Sequence, residues 1–342
     1  MNASKKPSKP RVIDIALQAG VSTATVDRVL NNRPGVRQKT IDKVKDAMAR
    51  LDVSTGRPQV IPSVPAGLTL DVVLAQGAGF ANDVLARALN AYCDEVGFNY
   101  RRTLSKRMVP EALRNALDEC LDRGTDGVIV QPLDHPIVRD AVARLTDAGI
   151  PVVCILTDLP SSTRLAYVGL DNRAAGRAAG LLMGRLCGDP GNVALFAGGE
   201  LYRSHEEREA GFRSVLRDNF QHINVLPTLA GKDDPQRTYD MTRALLNGNK
   251  DVRGICCVGG ANRGIEKALL EFGRADDIIY CAFNLTPLTR QGLLSGIFDV
   301  VIHQDMNLAA RKSVDTLMQH FQGRTSWPPA IPTELIMAEN LR

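Results

Sequence analysis

The sequence lacks the patterns of several protein classes. No uncharged apolar run approaches the roughly 20 residues of a membrane span, and the basic start MNASKKPSKP leads into no apolar signal-peptide core. The seven cysteines form no C-x-x-C pair, and most lie in apolar segments. These absences favour a cytoplasmic protein with buried, reduced thiols and no membrane partner.

Motifs of common enzymes are missing as well. The five histidines are scattered, and the sequence contains neither a G-x-S-x-G turn nor the G-K-S/T ending of a phosphate loop. HEERE has His205 but no second histidine for zinc. QGAGFAN begins as G-x-G-x-x-G, but Asn82 replaces the third glycine. We therefore expect no catalytic residues, no metal and no cofactor.

Charge is distributed unevenly along the 342 residues. Residues 1–60 hold 12 Lys/Arg against 5 Asp/Glu, whereas the remainder holds 30 against 33. A basic end attached to a nearly neutral body is typical of a small nucleic-acid-binding module on a larger domain. The chain length suits two or three compact units.

Helical spacing sorts the first fifty residues into three amphipathic segments, 12–19, 22–31 and 38–51. Gly20 allows a tight bend, and Ser22 can cap the next helix by accepting a backbone N–H. Two helices joined by so short a turn predict a helix-turn-helix. Their shared core is expected to contain Ile15, Ala16, Val21, Val26, Val29, Leu30, Val44, Ala47 and Leu51.

The outer face of the second helix carries small or planar hydrogen-bonding groups suited to base edges in a major groove. Arg28 can pair with guanine, and Asp27 can accept from cytosine or hold Arg28 in place. The alternative is a packing unit without DNA, which does not explain the basic flank. The predicted DNA-binding residues are Ser22, Thr23, Ala24, Thr25, Asp27, Arg28, Asn31, Arg33 and Lys39, with Lys39 and Lys43 on phosphates.

Proline and glycine mark a boundary after the head. We assign residues 1–53 to the head, 54–67 to a linker and 68–342 to a body in which buried strands alternate with amphipathic helices. Such alternation predicts two doubly wound parallel α/β lobes, at about 68–160 and 164–290, with the chain crossing back near 285–325. Strand ends facing each other across the lobes form a cleft for a small molecule.

The head resembles the DNA-binding domain of the lactose-repressor (LacI) family. The resemblance rests on AGVS, Thr25, Val26, Arg28, Val29, Leu30, Asn31, Val36, Thr40, Val44 and Ala47, with Asp14, Ile15 and Ala16 before them. Arg11 and Asp27 depart from the family's usual threonine and serine. The family's linker carries a hinge helix that enters the minor groove, but its usual pattern is missing here, so we assign any such contact to Val60 or Ile61.

The body resembles the periplasmic sugar-binding-protein fold of the same family, so that the resemblance covers residues 12–322. It implies sugar contacts from Arg208 of HEEREAGF, Asn262, Asn284 and Gln304, with a carboxylate common in the family at the position of Asn284. Phe80 and Asn82 follow the first body strand, and Asp158 can supply a carboxylate if it turns inward. Phe80 can stack on a sugar ring.

We expect a cytoplasmic transcriptional regulator that acts as a repressor and binds a palindromic operator as a dimer or tetramer. A sugar, polyol or cyclitol between the lobes is its expected effector. A solute-binding protein and a nucleotide-dependent enzyme are the alternatives. Missing secretion signals and the basic head argue against the first, and the incomplete glycine motif argues against the second.

Overall fold

The head begins with two short helices. A computed structural model of the chain describes residues 12–30, 36–37, 40–41, 43–44, 47, 67–77, 79–324, 328 and 330–341. Helix α1 spans Val12–Ala19 and α2 spans Thr23–Leu30, and residues 40, 41, 43, 44 and 47 are helical too. Their core contains Ile15, Ala16, Val26, Val44 and Ala47, as the spacing predicts. The predicted linker contacts Val60 and Ile61 lie outside the described residues.

The first lobe of the body is a five-stranded parallel sheet in the order β2-β1-β3-β4-β5. Helices join successive strands up to β4, as the alternating pattern predicts. The elements are β1 Thr69–Ala75, α3 Phe80–Val96, β2 Asn99–Ser105, α4 Pro110–Asp122, β3 Gly127–Val130, α5 Pro136–Asp147, β4 Val152–Ile155 and β5 Ala166–Val168.

The second lobe has a seven-stranded sheet, parallel except for its last strand. The order is β12-β11-β10-β9-β6-β7, and β8 also pairs with β6. Its elements are α6 Asn172–Cys187, β6 Gly191–Ala197, α7 Arg203–Asn219, β7 Ile223–Val225, β8 Leu229–Ala230, α8 Pro235–Gly248, β9 Val252–Cys257, α9 Asn262–Glu271, β10 Ile279–Phe283, α10 Pro287–Leu294, β11 Val300–His303 and β12 Glu334–Ile336.

The chain crosses between the lobes after β5, after β11 and before β12. Helix α11 (Met306–Phe321) returns to the first lobe, where Asp315 accepts a hydrogen bond from Tyr92 at 2.7 Å. Strand β5 lies beyond the expected end of the first lobe near residue 160, because it pairs with β4. Only three residues long, it carries too little alternation to reveal its sheet from sequence.

Elementary sequence signals account for the elements of the body. Strands β3 and β4, GVIV and VVCI, are buried throughout because helices cover both faces of the sheet. Proline occupies the first turn of α4, α5, α8 and α10, where its missing N–H costs no hydrogen bond. Helix α3 ends at Gly97, whose φ of 88° suits glycine.

A buried carboxylate holds the edge strand of the first lobe. Asp71 on β1 is fully buried and accepts from Arg101 on β2 at 2.6 Å and from Arg123 after α4 at 2.5 Å. Arg101 also donates to the carbonyl of Gly124 at 2.8 Å. One side chain therefore ties β2 and the end of α4 to β1.

We predict that Asp71→Asn lowers the free energy of unfolding by about 1–3 kcal/mol, since it replaces charge-assisted bonds and turns an amide N–H₂ toward arginine donors. Urea unfolding followed by circular dichroism measures this loss. The matched control is Arg102→Gln on the exposed side of the same edge strand, which should stay within about 0.5 kcal/mol of the original protein. Equal effects of the two substitutions would contradict the assignment.

Candidate functional site

A cleft of about 460 Å³ lies between the two lobes of the body. Its walls are built from segments that follow the carboxyl ends of β1, β3, β4, β6, β9, β10 and β11. Parallel strands place these ends at one edge of each sheet, so residues distant in sequence converge there. Phe80, Asn82, Arg208, Asn262, Asn284 and Gln304 all line the cleft, as the sequence predicts.

Arg208 sits deepest among the charged groups of the cleft, with 4% of its surface exposed. Its Nε donates to Asn172 Oδ1 at 2.8 Å, and Nη1 donates to the carbonyl of Val258 at 2.9 Å. The guanidinium carbon lies 4.4 Å from the ring centre of Phe283. Burial lowers the pKa of Arg208 to about 10, so the side chain remains a cation at neutral pH.

Three amides follow strand ends of the second lobe. Asn262 opens α9, and its Oδ1 accepts from the hydroxyl of Tyr280 at 3.0 Å. Asn284 has a φ of 67°, a left-handed conformation that asparagine tolerates, and its Oδ1 accepts from Gln304 Nε2 at 3.3 Å. Gln304 is 1% exposed, and its Oε1 has no hydrogen-bond partner among the described residues. That oxygen is ready to accept a ligand hydroxyl.

The first lobe contributes an aromatic ring and two amides. Phe80 is 44% exposed at the start of α3, where it can cover the face of a ligand. Asn82 Nδ2 donates to Gln131 Oε1 at 2.7 Å, which orients both amides. Gln131 also lines the cleft, although it is not among the ligand-binding residues predicted from the sequence. The signal that marks it is its position directly after buried β3.

Asp158 does not line the cleft. Its carboxylate accepts from Arg164 at 2.5 and 2.7 Å and from the backbone N–H of Leu159 at 2.7 Å. The prediction that Asp158 turns inward is therefore corrected: a bidentate pair with an arginine six residues later turns it toward its own loop.

Sequence reasoning missed an ion pair across the cleft. Arg107 of the first lobe donates to the carbonyl of Lys232 at 3.1 Å, and its Nη1 lies 3.8 Å from Asp233 Oδ2. Asp233 Oδ1 also accepts from the backbone N–H of Gly260 at 2.7 Å. No local pattern reveals this pair, because its members are over a hundred residues apart.

His205 is a further lining residue, one turn before Arg208. Burial lowers its pKa to about 4, so the ring is neutral at pH 7. A hydrogen bond with the backbone of Gly199 holds the ring, whereas Nδ1 is buried without a partner in the described chain. The sequence suggested His205 only as an incomplete zinc motif, and no metal-ligand cluster occurs among the described residues.

The segment before α7 joins the lobes directly. Tyr202 is buried in the apolar core of the first lobe, although the chain around it belongs to the second. The backbone N–H of Ser204 donates to Thr157 Oγ1 at 3.1 Å, and the carbonyl of Leu201 accepts from the N–H of Asp134 at 2.8 Å. One short segment therefore makes lobe-to-lobe contacts and leads into His205 and Arg208.

The head presents several of the predicted DNA-binding residues on α2. Ser22 accepts a hydrogen bond from the N–H of Thr25 at 3.2 Å, which confirms the predicted cap. Thr23, Ala24 and Arg28 are exposed, and Thr25 is partly so. Residues 31, 33 and 39 and the side chain at 27 lie outside the described part of the chain, and so do the side chain at 30 and the predicted core residue Leu51.

Two family models match the chain. Bacterial regulatory proteins of the lacI family match residues 12–54, and the periplasmic binding protein domain matches residues 72–325. The chain belongs to the LacI family. It is a transcriptional regulator with a helix-turn-helix head and a periplasmic-binding-protein-like body, as the sequence resemblance implies.

Two relatives of this LacI-family regulator are themselves named as transcriptional regulators, and a solved structure shares its fold. An HTH-type transcriptional regulator in the aml 5' region of Streptomyces limosus is 31% identical, over 62% of this chain and 59% of that protein. The lactose operon repressor of Escherichia coli is 26% identical, over 91% of this chain and 84% of that one. A glucose-galactose binding protein from Geobacillus stearothermophilus shares the fold, with TM-score 0.76 and 21% identity, over 81% of this chain and 99% of that one. Among the described helices of the regulator, none has the length and apolarity to cross a membrane.

Close helix packing sets the position of Arg208 in this LacI-family regulator. Helices α6 and α7 approach so closely that a Cβ at Gly176 would lie 2.1 Å from the carbonyl oxygen of Arg208. A Cβ at Gly211 would lie 2.2 Å from the carbonyl oxygen of Arg173. Any larger residue must push the helices apart and move Arg208 with them.

We predict that Gly176→Ala destabilises the protein by about 1–3 kcal/mol, because the methyl group overlaps backbone that cannot yield locally. Urea unfolding measures the change. The matched control is Gly248→Ala at the end of α8, where an added Cβ meets nothing within 4 Å and should be neutral or mildly stabilising. A neutral Gly176→Ala would show that the helices are not in close contact.

Proposed function

We propose that this regulator is a cytoplasmic repressor, without enzymatic activity, whose operator binding changes when a small polyhydroxylated molecule occupies the cleft. The observation that carries the proposal is the joining of a DNA-binding head to a cleft lined by amides at strand ends. Amides both donate and accept hydrogen bonds, which suits hydroxyl groups that do the same. A sugar, polyol or cyclitol is the corresponding ligand class.

The DNA-binding part of the proposal rests on the exposed face of α2. Thr23 and Arg28 are free to reach base edges, while the cap at Ser22 fixes the start of the helix. Lys43 is exposed on the following helical segment and is assigned to phosphates. The predicted contacts from Asp27, Asn31, Arg33 and Lys39 complete the proposed interface.

The effector part of the proposal rests on Gln304, whose buried oxygen lacks a partner within the described chain. Arg208, Asn262 and Asn284 surround the same cleft, and Phe80 and Asn82 close it from the other lobe. The structural relative named above binds glucose and galactose with the same fold. We propose the same mode here, with the ligand held between the lobes.

We further propose that the regulator acts as a dimer. One helix-turn-helix module buries little DNA surface, and two linked heads raise each other's effective concentration on a palindromic site.

Arg28→Ala should weaken binding to an operator selected from random DNA by about 1–3 kcal/mol, because a bidentate contact to a base is lost, and should hardly change binding to random DNA. Lys43→Ala, the matched control, should weaken both alike. Gel shifts at one salt concentration measure all four affinities. Equal weakening of both DNAs by Arg28→Ala would assign Arg28 to phosphates.

A screen of monosaccharides, polyols and cyclitols by thermal shift tests the effector class. A ligand at 100 times its Kd should stabilise the protein by about 2.7 kcal/mol and change the gel shift of the operator. Gln304→Ala should cost about 1–3 kcal/mol of ligand affinity, whereas Gln291→Ala at an exposed position of α10 should cost nothing measurable. Operator binding without a response to any compound would remove the polyhydroxylated effector while leaving the DNA role intact.

A further inference from the structure

Arg208 is a buried cation whose hydrogen-bond partners are all neutral. Its hydrogen bonds go to the amide of Asn172 and the carbonyl of Val258, and its face lies over Phe283. No carboxylate of the described chain forms an ion pair with it. A desolvated charge without a counter-charge is costly, so the site favours an anion.

The rest of the cleft does not supply the missing counter-charge. Of the described residues that line it, Asp233 is the one carboxylate, and it already bonds Gly260 and faces Arg107. Arg263 adds another positive charge at the rim. Three arginines against one aspartate leave the cleft with two excess positive charges.

Three helix N-termini strengthen this positive potential. Helices α3, α7 and α9 start at the cleft behind Gly79, Tyr202 and Ala261, and none of these residues caps its helix with a side chain. The N–H of Ser204 in α7 is taken by Thr157, and Asp83 and Glu206 lie in the first turns of α3 and α7, whereas α9 has no acid in its first turn. The aligned dipoles of the three helices favour negative charge nearby.

Other groups in the cleft require hydroxyls. Gln304 Oε1 and His205 Nδ1 are both buried and without a partner among the described residues. Both atoms can only accept a hydrogen bond. A sugar hydroxyl can donate to them, whereas a carboxylate has no hydrogen to donate. The ligand must therefore combine an anionic end with hydroxyl groups.

We propose that the effector is a sugar acid, an aldonic or uronic acid whose carboxylate faces Arg208 and whose hydroxyls donate to Gln304 and His205. This inference rests on the proposed effector role of the cleft and narrows its chemistry. A carboxylate fits better than a phosphate, because Nε and Nη1 of Arg208 already bond to the protein. Of the three N–H donors that remain, one on Nη1 and one on Nη2 form the parallel pair that the two oxygens of a carboxylate accept.

Calorimetry with the full chain tests the proposal through matched pairs at about 150 mM salt, where exposed charges are screened. The pairs are D-glucitol with D-gluconate, D-galactitol with D-galactonate, D-glucose with D-glucuronate and D-galactose with D-galacturonate. We expect at least one acid to bind about tenfold or more tightly than its neutral partner, since a charge-assisted bond replaces a neutral one. D-glucose 6-phosphate is measured beside them.

Variants on one helix show whether Arg208 causes the preference. Arg208→Gln keeps donors but removes the charge and should bring the acid-to-neutral ratio near one, whereas Arg208→Lys should keep a preference with weaker binding. The matched control, Arg217→Gln on the exposed part of α7, should leave the ratio unchanged. Urea unfolding of each variant shows whether a change in affinity comes from the lost charge or from a loss of folded protein. If Arg208→Gln does not fold, the acid-to-neutral ratio of Arg208→Lys tests the proposal instead.

Three results would overturn the proposal. If the neutral compounds bind more tightly than the acids, the sugar-acid proposal is wrong, but the proposed effector role of the cleft remains. Tightest binding of the sugar phosphate would replace the carboxylate by a phosphoryl group. Operator binding with no response to any compound would remove both the sugar acid and the proposed effector class.

Discussion

The buried guanidinium of Arg208 is the interaction on which the cleft depends. It joins the start of α6, the end of β9 and the end of β10 through one side chain. Removing a charge from water is costly, and a carbonyl, an amide and a ring return only part of the lost hydration. The arrangement persists because Gly176 and Gly211 let α6 and α7 approach until Arg208 can reach all three partners.

The sheet topology explains how residues distant in sequence come together in the cleft. In a parallel sheet every strand delivers its carboxyl end to the same edge, and the following loop starts there. Two such sheets facing each other bring together Phe80 and Gln304, which are more than two hundred residues apart in sequence. Hydrogen bonds within each lobe, such as those of Asn82 to Gln131 and Gln304 to Asn284, then fix the side chains before any ligand arrives.

Local patterns predicted most of this architecture. Buried strands, prolines at helix starts and the cap at Ser22 depend on neighbours within a few residues, so periodicity and spacing reveal them. The prediction that Asp158 faces the cleft was wrong because its orientation depends on Arg164. A sequence does not show which way two neighbouring charged side chains turn. The predicted end of the first lobe was wrong for a related reason, since only the pairing of the short strand β5 with β4 assigns it to that lobe.

Long-range charge pairing was also invisible in the sequence. Arg107 and Asp233 meet only when the two lobes face each other, and the missing counter-charge of Arg208 is a property of the folded cleft. Composition suggested a nearly neutral body, and the body is nearly neutral as a whole. The fold separates the charges within the body, because acidic side chains pair with arginines outside the cleft and leave the cleft positive.

The start of α7 and the residues before it link the cleft to the contact between the lobes. Tyr202 packs in the first lobe, and the N–H of Ser204 bonds Thr157. The same helix carries His205, the next residue, and Arg208, one turn later, into the cleft. A ligand that binds Arg208 therefore acts on the element that holds the lobes together, and it can shift their equilibrium by as much as its affinity differs between their arrangements. Linkage makes the effect reciprocal: if the effector changes operator affinity, operator DNA changes effector affinity by the same factor. For the sugar acid proposed above, the buried cation strengthens this coupling, because its interaction with an anion is greatest when the lobes exclude water.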